Sequence, residues 1–433
     1  MSTNRQAYRA SLLHLLDDPA VAGDGAVVWH EDGLLLVEDG HVAAAGSFED
    51  LAPALPDGVA VEHLPGKILT PGFVDAHIHY PQTDVVAAWG AQLLDWLTEH
   101  TFPVEQAFED RAHADAAAAF FLDELLRNGT TSALVFGTVH RTSVDALFEA
   151  ALARNMRLIG GKVLMDRNAP AALCDTVESG RADTEALIRA WRGQGRLGYA
   201  VTPRFAVTSS DAQLAMAGEL AAAHPDILIH THMSENLEEI RAVEGLFPGH
   251  GSYLGVYERF GLVTDRSVFA HCVHTTADDL RKLTEAGATA AFCPSSNLML
   301  GSGLFSLRKA CGCGTRVALG TDVGAGASFS LLHAIGEAYR VGQLQHEPLD
   351  PLEGLYLATL AGARALKIDH RVGNFEVGKE ADFVVLDPAA TPLLARRTAA
   401  AQSLRDRLFA LSILGDDRAI QRTYLMGRLA HAR

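Results

Sequence analysis

Cysteine is scarce: five in 433 residues, at Cys174, Cys272, Cys293, Cys311 and Cys313, an odd number. A disulfide scaffold needs more, so the thiols read as reduced and the chain as cytoplasmic. Positive charge is in deficit. Thirty-six Lys and Arg against 53 Asp and Glu leave a net −17. So acidic a surface repels phosphate, which excludes broad binding to nucleic acid or to an anionic membrane. Long apolar runs are missing as well. No uncharged stretch reaches the ~18 residues of a membrane helix. The run from Ser11 to Leu16 follows Arg5 and Arg9, stops at Asp17 and Asp18, and is too short for a signal-peptide core. There is no Ser- or Pro-rich linker and no low-complexity block. What is present is the balance of a globular protein, 48% apolar and 21% charged residues, on a chain well beyond one ordinary domain of roughly 150 residues. Histidine is in surplus at 19, a pointer toward metal or proton chemistry.

Residues 1 to 68 carry short strand-like runs, Ala26 to Trp29, Leu34 to Glu38 and His41 to Ala45, split by Asp32-Gly33 and Asp39-Gly40. Asp-Gly between apolar runs predicts hairpins at both places. From 69 to 370 the texture changes. Apolar runs of five to eight residues alternate with longer helical patterns such as Asp110 to Arg127 and Asp211 to Ala223. Repeated strand-then-helix implies parallel strands with crossover helices. The tail, 371 to 433, returns to strand texture at Ala381 to Leu386 and Arg422 to Met426, punctuated by Gly378 and Gly427. The middle block offers eight strands: Phe73 to His79, Thr131 to Phe136, Leu158 to Leu164, Gly198 to Phe205, Ile227 to His232, Ser267 to His271, Ala288 to Cys293 and Arg316 to Asp322. The fold class that follows is α/β, a (β/α)8 barrel, whose chemistry sits at the C-terminal ends of its strands.

Polar residues gather at those ends. The first strand closes His77-Ile78-His79, and residues two apart on a strand share a face. The fifth closes His230-Thr231-His232 and runs on to Glu235. The sixth closes Ala270-His271 and the eighth Gly320-Thr321-Asp322. Four strand ends presenting His, His, His or Asp at once predict a mononuclear metal site among His77, His79, His232, His271 and Asp322. Spacing alone does not choose between His230 and His232. Nearness to the strand end and to Glu235 favours His232, leaving His230 in the core or behind a ligand. His274, in the loop after the sixth strand, reads as bland. Nitrogen and carboxylate ligands with an open position suit Zn²⁺ in hydrolysis, with Fe²⁺ as the substitute.

Pro71 to His79, His232 to Glu235, Ala270-His271 and Gly320-Thr321-Asp322 resemble the amidohydrolase superfamily over essentially the whole chain. Gly378 to Phe383 is similar to that superfamily's returning sandwich segment. The resemblance implies a metal-dependent barrel at 69–370 and a small β-sandwich built from 1–68 and 371–433. Within the superfamily the chain is most similar to the guanine deaminases. The segments that carry this are His77 to Gln82, Leu93-Leu94-Asp95-Trp96-Leu97, Thr101-Phe102-Pro103-Val104-Glu105, Thr202 to Phe205, His232 to Asn236, Cys293 to Leu298 and Gly320 to Gly324. Bridged two-metal relatives use a lysine at the end of strand four. Pro203-Arg204-Phe205 has none, and Lys162 on strand three reads as half of a structural ion pair, so one metal is expected.

The resemblance implies hydrolysis of guanine to xanthine and ammonia in a homodimer. A metal lowers the pKa of water toward ~7, hydroxide attacks C2, and Glu235 shuttles the proton to N3. Asp322 accepts a water proton, and His271 holds or polarises the nucleophile, as a weak ligand or from behind the ligands. Arg204 and Gln82 would read the O6 and N7 edge, Phe205 would stack on the ring and Trp96 would close the pocket. The Cys-x-x-Cys signature of the unrelated zinc deaminases is missing. Cys311-Gly312-Cys313 reads as a turn with free thiols, and Gly301-Ser302-Gly303 as a flexible loop over the mouth. The alternatives are deamination of another heterocycle (8-oxoguanine, pterin, adenosine-type or triazine) and a metal-free binding scaffold.

Overall fold

The computed structural model describes residues 4–90 and 92–433. Strands β1 (Arg5–Leu15), β2 (Val27–Glu38), β3 (His41–Ser47) and β4 (Val61–Pro71) come from the N-terminal segment. The barrel strands are β5 (Phe73–His79), β6 (Thr130–Phe136), β7 (Arg157–Gly161) with its continuation β8 (Val163–Leu164), β9 (Leu197–Pro203), β10 (Leu228–Met233), β11 (Ser267–His271), β12 (Thr289–Phe292) and β13 (Arg316–Leu319). The tail adds β14 (Phe383–Leu386), β15 (Ile420–Leu425) and β16 (Arg428–Ala432). β5 to β13 pair in parallel in chain order. The seam between first and last strand is joined where Asp322 N donates to His77 O (2.9 Å) and His79 N to Val323 O (3.0 Å). The (β/α)8 barrel is thus built from the eight expected segments, each within a few residues of its expected bounds.

Both faces of these strands are covered, which is why they read as near-continuous apolar runs. Small side chains fill the lower barrel: Val74, Ala76, Ala200, Ala291 and Ala318 form one buried cluster. It is plugged by Ala363, Leu366 and Ile368, from the helix Leu360–Ala365 and the turn after it. The upper barrel is polar. The switch is made on β5, whose pairing with β6 shifts register between Asp75 and Ile78. Val74 and Ala76 face the inner cluster, Ile78 faces the outer one, and His77 and His79 face the mouth. A bulge reverses the in–out alternation at the point where the imidazoles begin.

The terminal strands make one continuous seven-stranded sheet, β16-β15-β14-β4-β1-β2-β3. Tyr8, Phe383 and Tyr424 pack at its centre, with ring centroids 4.3–5.3 Å apart. Asp39-Gly40 is the expected hairpin turn, with both residues at positive φ. Asp32-Gly33 is not a turn. β2 runs straight through it and pairs with β1, whose register shifts between Ala10 and Leu12. Glycine is needed there for close approach, since a Cβ at Gly33 would lie 2.5 Å from the Leu12 Cβ. Arg157 and Arg196 bind Glu380, and Arg196 also binds Asp382, which ties the sheet to the foot of the barrel. No helix among the described residues is long and apolar enough to cross a membrane.

Candidate active site

Imidazoles from β5 and β10 converge with one carboxylate. Ligand atoms of His77, His79, His232 and Asp322 all lie within 4.8 Å of one another. His77 Nε2 is 3.2 Å and His79 Nε2 3.4 Å from Asp322 Oδ1, and His79 Nε2 is 3.1 Å from His232 Nε2. Ligands about 2.0–2.1 Å from a tetrahedral ion stand about 3.3 Å apart, so these spacings suit one small cation. Orientation is set from behind. His232 Nδ1 donates to the Arg204 carbonyl at 2.8 Å, and His77 Nδ1 lies 2.8 Å from His230 Nε2. Each such bond turns Nε2 toward the cluster. His77 Nε2 is buried with no hydrogen-bond partner. Burial, then neighbouring positive groups, holds His77, His79 and His232 well below the usual imidazole range. Neutral imidazoles with inward lone pairs are the form in which histidine binds a metal.

Glu235 and His271 stand beside this cluster. His271 Nε2 is 3.4 Å from Glu235 Oε2 and 3.7 Å from Asp322 Oδ2. His271 Nδ1 lies 2.9 Å from Asn297 Oδ1, and Ser302 Oγ donates to Glu235 Oε1 at 2.8 Å. Burial pushes the Glu235 carboxyl up to about 7, against the opposing charge of His271. Burial alone would lower His271, but the Glu235 and Asp322 carboxylates outweigh it and the direction is up. Both shifts run upward, in a place where a proton can be given or taken. The backbone here is strained. Ser234, His271 and Asp322 have φ of 51°, 71° and 50°, a region non-glycine residues adopt at about 1–3 kcal/mol each. That turn carries the Asp322 side chain back over the mouth.

A half-open pocket lies above the cluster. Gln82, Arg204 and Phe205 line it together with His79, His232, Glu235, His271 and Asp322, and Leu93, Trp96, Leu97 and Leu300 supply apolar wall. Gln82 and Arg204 are both 2% exposed. Arg204 Nη1 donates to both oxygens of Glu105 (2.9 and 2.8 Å), and Gln82 Nε2 to Glu105 Oε1 (3.0 Å).

A model of the amidohydrolase family matches residues 68–430. The chain belongs to the amidohydrolase family. It is 51% identical to the guanine deaminase of Escherichia coli (strain K12) over 431 residues, 99% of this chain and 98% of that one. It is 43% identical to a probable guanine deaminase of Deinococcus radiodurans, covering 98% of each. The solved E. coli guanine deaminase superposes with a TM-score of 0.96 over 99% of this chain and all of that one. A guanine deaminase from C. acetobutylicum, solved with guanine bound in its active site, superposes at 0.89 with 29% identity, over 98% of this chain and all of that one.

In this amidohydrolase the structure gathers every residue singled out from sequence. His77, His79, His232 and Asp322 form the cluster, and Glu235, His271, Gln82, Arg204, Phe205 and Trp96 stand on or against the cavity. Several expectations change. β13 ends at Leu319, so Asp322 lies beyond the strand, placed by its backbone bond to His77 rather than by the ladder. Arg204 and Phe205 likewise follow β9. Cys311 lies in the helix Leu307–Gly312, not in a turn. Gly301-Ser302-Gly303 is no plain loop, because Ser302 is buried on Glu235. His274 is not bland: its Nε2 bonds the Ser302 carbonyl at 2.7 Å and pins that loop. Sequence reasoning assigned no role to Glu105, Asn297, Ser302 or Glu239. Glu239 Oε2 accepts from the backbone N–H of Glu235 and of Asn236 (2.8 and 3.1 Å) and so fixes the segment carrying Glu235. The one available signal for Glu105 and Asn297 was their presence in the resemblance segments.

Proposed function

We propose that this chain hydrolyses guanine to xanthine and ammonia. The observation that carries the reading is the coincidence in one cavity of the His77, His79, His232 and Asp322 cluster with a buried base-edge pair, Arg204 and Gln82. The 51% identity to a guanine deaminase across nearly the whole chain supports it.

His77, His79, His232 and Asp322 would hold one Zn²⁺, with Fe²⁺ as the substitute. When bound, such an ion lowers the pKa of water toward ~7 and supplies hydroxide at neutral pH. Arg204 and Gln82 orient the purine by its O6 and N7 edge, which presents acceptors to their N–H donors. Phe205 covers a ring face, and Trp96 shuts water out from the β5 side. Glu235 takes a proton from the attacking water and delivers it to N3 as C2 becomes tetrahedral. His271, its Nε2 3.4 Å from Glu235 Oε2, steadies the nucleophile, and Asp322 accepts the second water proton and returns it to the departing amine.

The proposal includes two units, a small β-sandwich built from 1–68 and 371–433 and a barrel at 69–370, and a homodimer, which rests on family resemblance. Five unpaired cysteines support a cytoplasmic setting, and the net charge of −17 argues against a nucleic-acid partner. Ammonia release from guanine, adenine, cytosine and pterin tests the function. Guanine is expected to dominate. Turnover of another ring with none of guanine would replace this reading by a deaminase of that ring.

A further inference from the structure

Glu105 is a fully buried carboxylate, 0% exposed, on the four-residue helix Phe102–Glu105. It has no contact with solvent, and an unpaired charge there would be strongly unfavourable. Its three side-chain hydrogen bonds among the described residues go to the base-edge pair. Both oxygens accept from Arg204 Nη1, and Oε1 also accepts from Gln82 Nε2. The same short helix places the Phe102 ring 5.6 Å from the Arg204 guanidinium carbon, so a charge and a π-face from one element grip that group.

These contacts have a directional consequence. A carboxylate only accepts hydrogen bonds, so the Gln82 amide can meet Glu105 through Nε2 and not through Oε1. Arg204 carries five N–H donors and no acceptor. With Nη1 turned to Glu105, the remaining donors are left for the cavity that Arg204 lines. An amide at position 105 would both donate and accept. The Gln82 flip would then be free, and Arg204 would lose its charge partner while staying buried.

We propose that Glu105 is the positioning residue through which Arg204 and Gln82 select an oxo group, rather than hydrogen or an amino group, at purine C6. It does not touch the reacting atoms. It holds the remaining Arg204 donors toward the cavity, where an acceptor at C6 satisfies them and a 6-amino group opposes them, N–H against N–H, and it fixes which end of the Gln82 amide is left free. The selection is strong because the donors are dehydrated, and a ligand that leaves them unpaired forfeits that interaction entirely. The inference rests on the guanine reading above.

The test compares guanine with 2-aminopurine, which keeps the C2 amine but has hydrogen at C6, and with 2,6-diaminopurine, which has an amine there. The two analogues are scored as inhibition constants against guanine turnover, so they report whether or not they react. In Glu105→Gln, KM for guanine is expected to rise about 10- to 150-fold, the loss of one charge-assisted hydrogen bond. kcat should fall much less, 2-aminopurine should shift under about 3-fold, and discrimination against 2,6-diaminopurine should shrink. Glu105→Asp, which keeps the charge on a shorter stem, should recover part of the guanine preference. It also serves as the readout if Glu105→Gln does not fold. Metal content and melting temperature accompany each variant. A guanine KM within 3-fold of wild type, or equal weakening of guanine and 2-aminopurine, would overturn the role of Glu105 and leave the proposed reaction standing. A wild-type enzyme inert toward guanine would instead remove the reaction and this inference together.

Discussion

At the scale of single residues, neighbours in the site do separable jobs, and substitutions should separate them. Glu235→Gln keeps shape and burial but removes the ability to carry a proton. Metal content should be unchanged and kcat should fall by roughly 10²–10⁴-fold, the usual worth of a positioned acid–base. Near-normal turnover in a metal-replete Glu235→Gln enzyme would take Glu235 out of the proton path. Arg204→Ala removes the guanidinium but keeps the backbone carbonyl that orients His232. It should therefore cut kcat/KM for guanine about 100-fold or more with metal stoichiometry intact. Parallel loss of both would mark Arg204 as a structural residue. The residues that sequence reasoning passed over differ in cause. Ser302 and Asn297 act through contacts made after folding, 67 positions apart for Ser302 and Glu235, and nothing local in Gly301-Ser302-Gly303 distinguishes a buried acceptor's partner from a surface turn. Glu239 closes a capping box with Asn236, and the Asn-x-x-Glu spacing that marks it is local.

At the scale of elements, the parallel strands were legible because each is buried on both faces and must be apolar throughout. The His-x-His pair was legible because period two brings both rings to one side. The reversal of alternation on β5 was not. A register shift between Asp75 and Ile78 depends on the partner strand, and the heptapeptide itself carries no mark of it. Asp32-Gly33 misled for a related reason: the dipeptide suits a turn, but here glycine answers the packing of Leu12 across the ladder. β1 also holds a titrating group with a measurable consequence. His14, 5% exposed and edge-on to Phe375 at 5.4 Å, is pushed by burial from 6.5 down to about 4. Above pH 6.5 both folded and unfolded chains keep it neutral. As pH falls from 6.5 toward 4 the unfolded chain takes up a proton that the folded chain refuses, so folding weakens by up to about 3 kcal/mol. Urea midpoints for wild type and His14→Phe should therefore converge at low pH or cross, with the variant losing less stability between pH 6.5 and 4. Parallel curves across that window would show that His14 titrates normally.

At the scale of the whole molecule, two layers of charge bracket the barrel. At its foot, Arg157 and Arg196 meet Glu380 and Asp382 and bind the terminal sheet across more than 180 positions of sequence. At its mouth, imidazoles and carboxylates from β5, β10, β11 and the segment after β13 meet over the polar end of an otherwise apolar tube. The barrel brings these groups together, and its seam is joined by the same backbone that bears two of them, His77 and Asp322. A cation held at the mouth would therefore stitch first strand to last. Its removal by a chelator should lower the melting temperature as well as abolish turnover, and added Zn²⁺ should restore both.

The most direct measurement of the central claim is metal content by elemental analysis, joined to an anomalous difference map of the crystallised protein. The account predicts one zinc or iron per chain, a single anomalous peak among His77, His79, His232 and Asp322, and loss of that ion in His77→Ala. A fully active protein without stoichiometric metal, or an ion bound elsewhere with those four side chains turned apart, would contradict it.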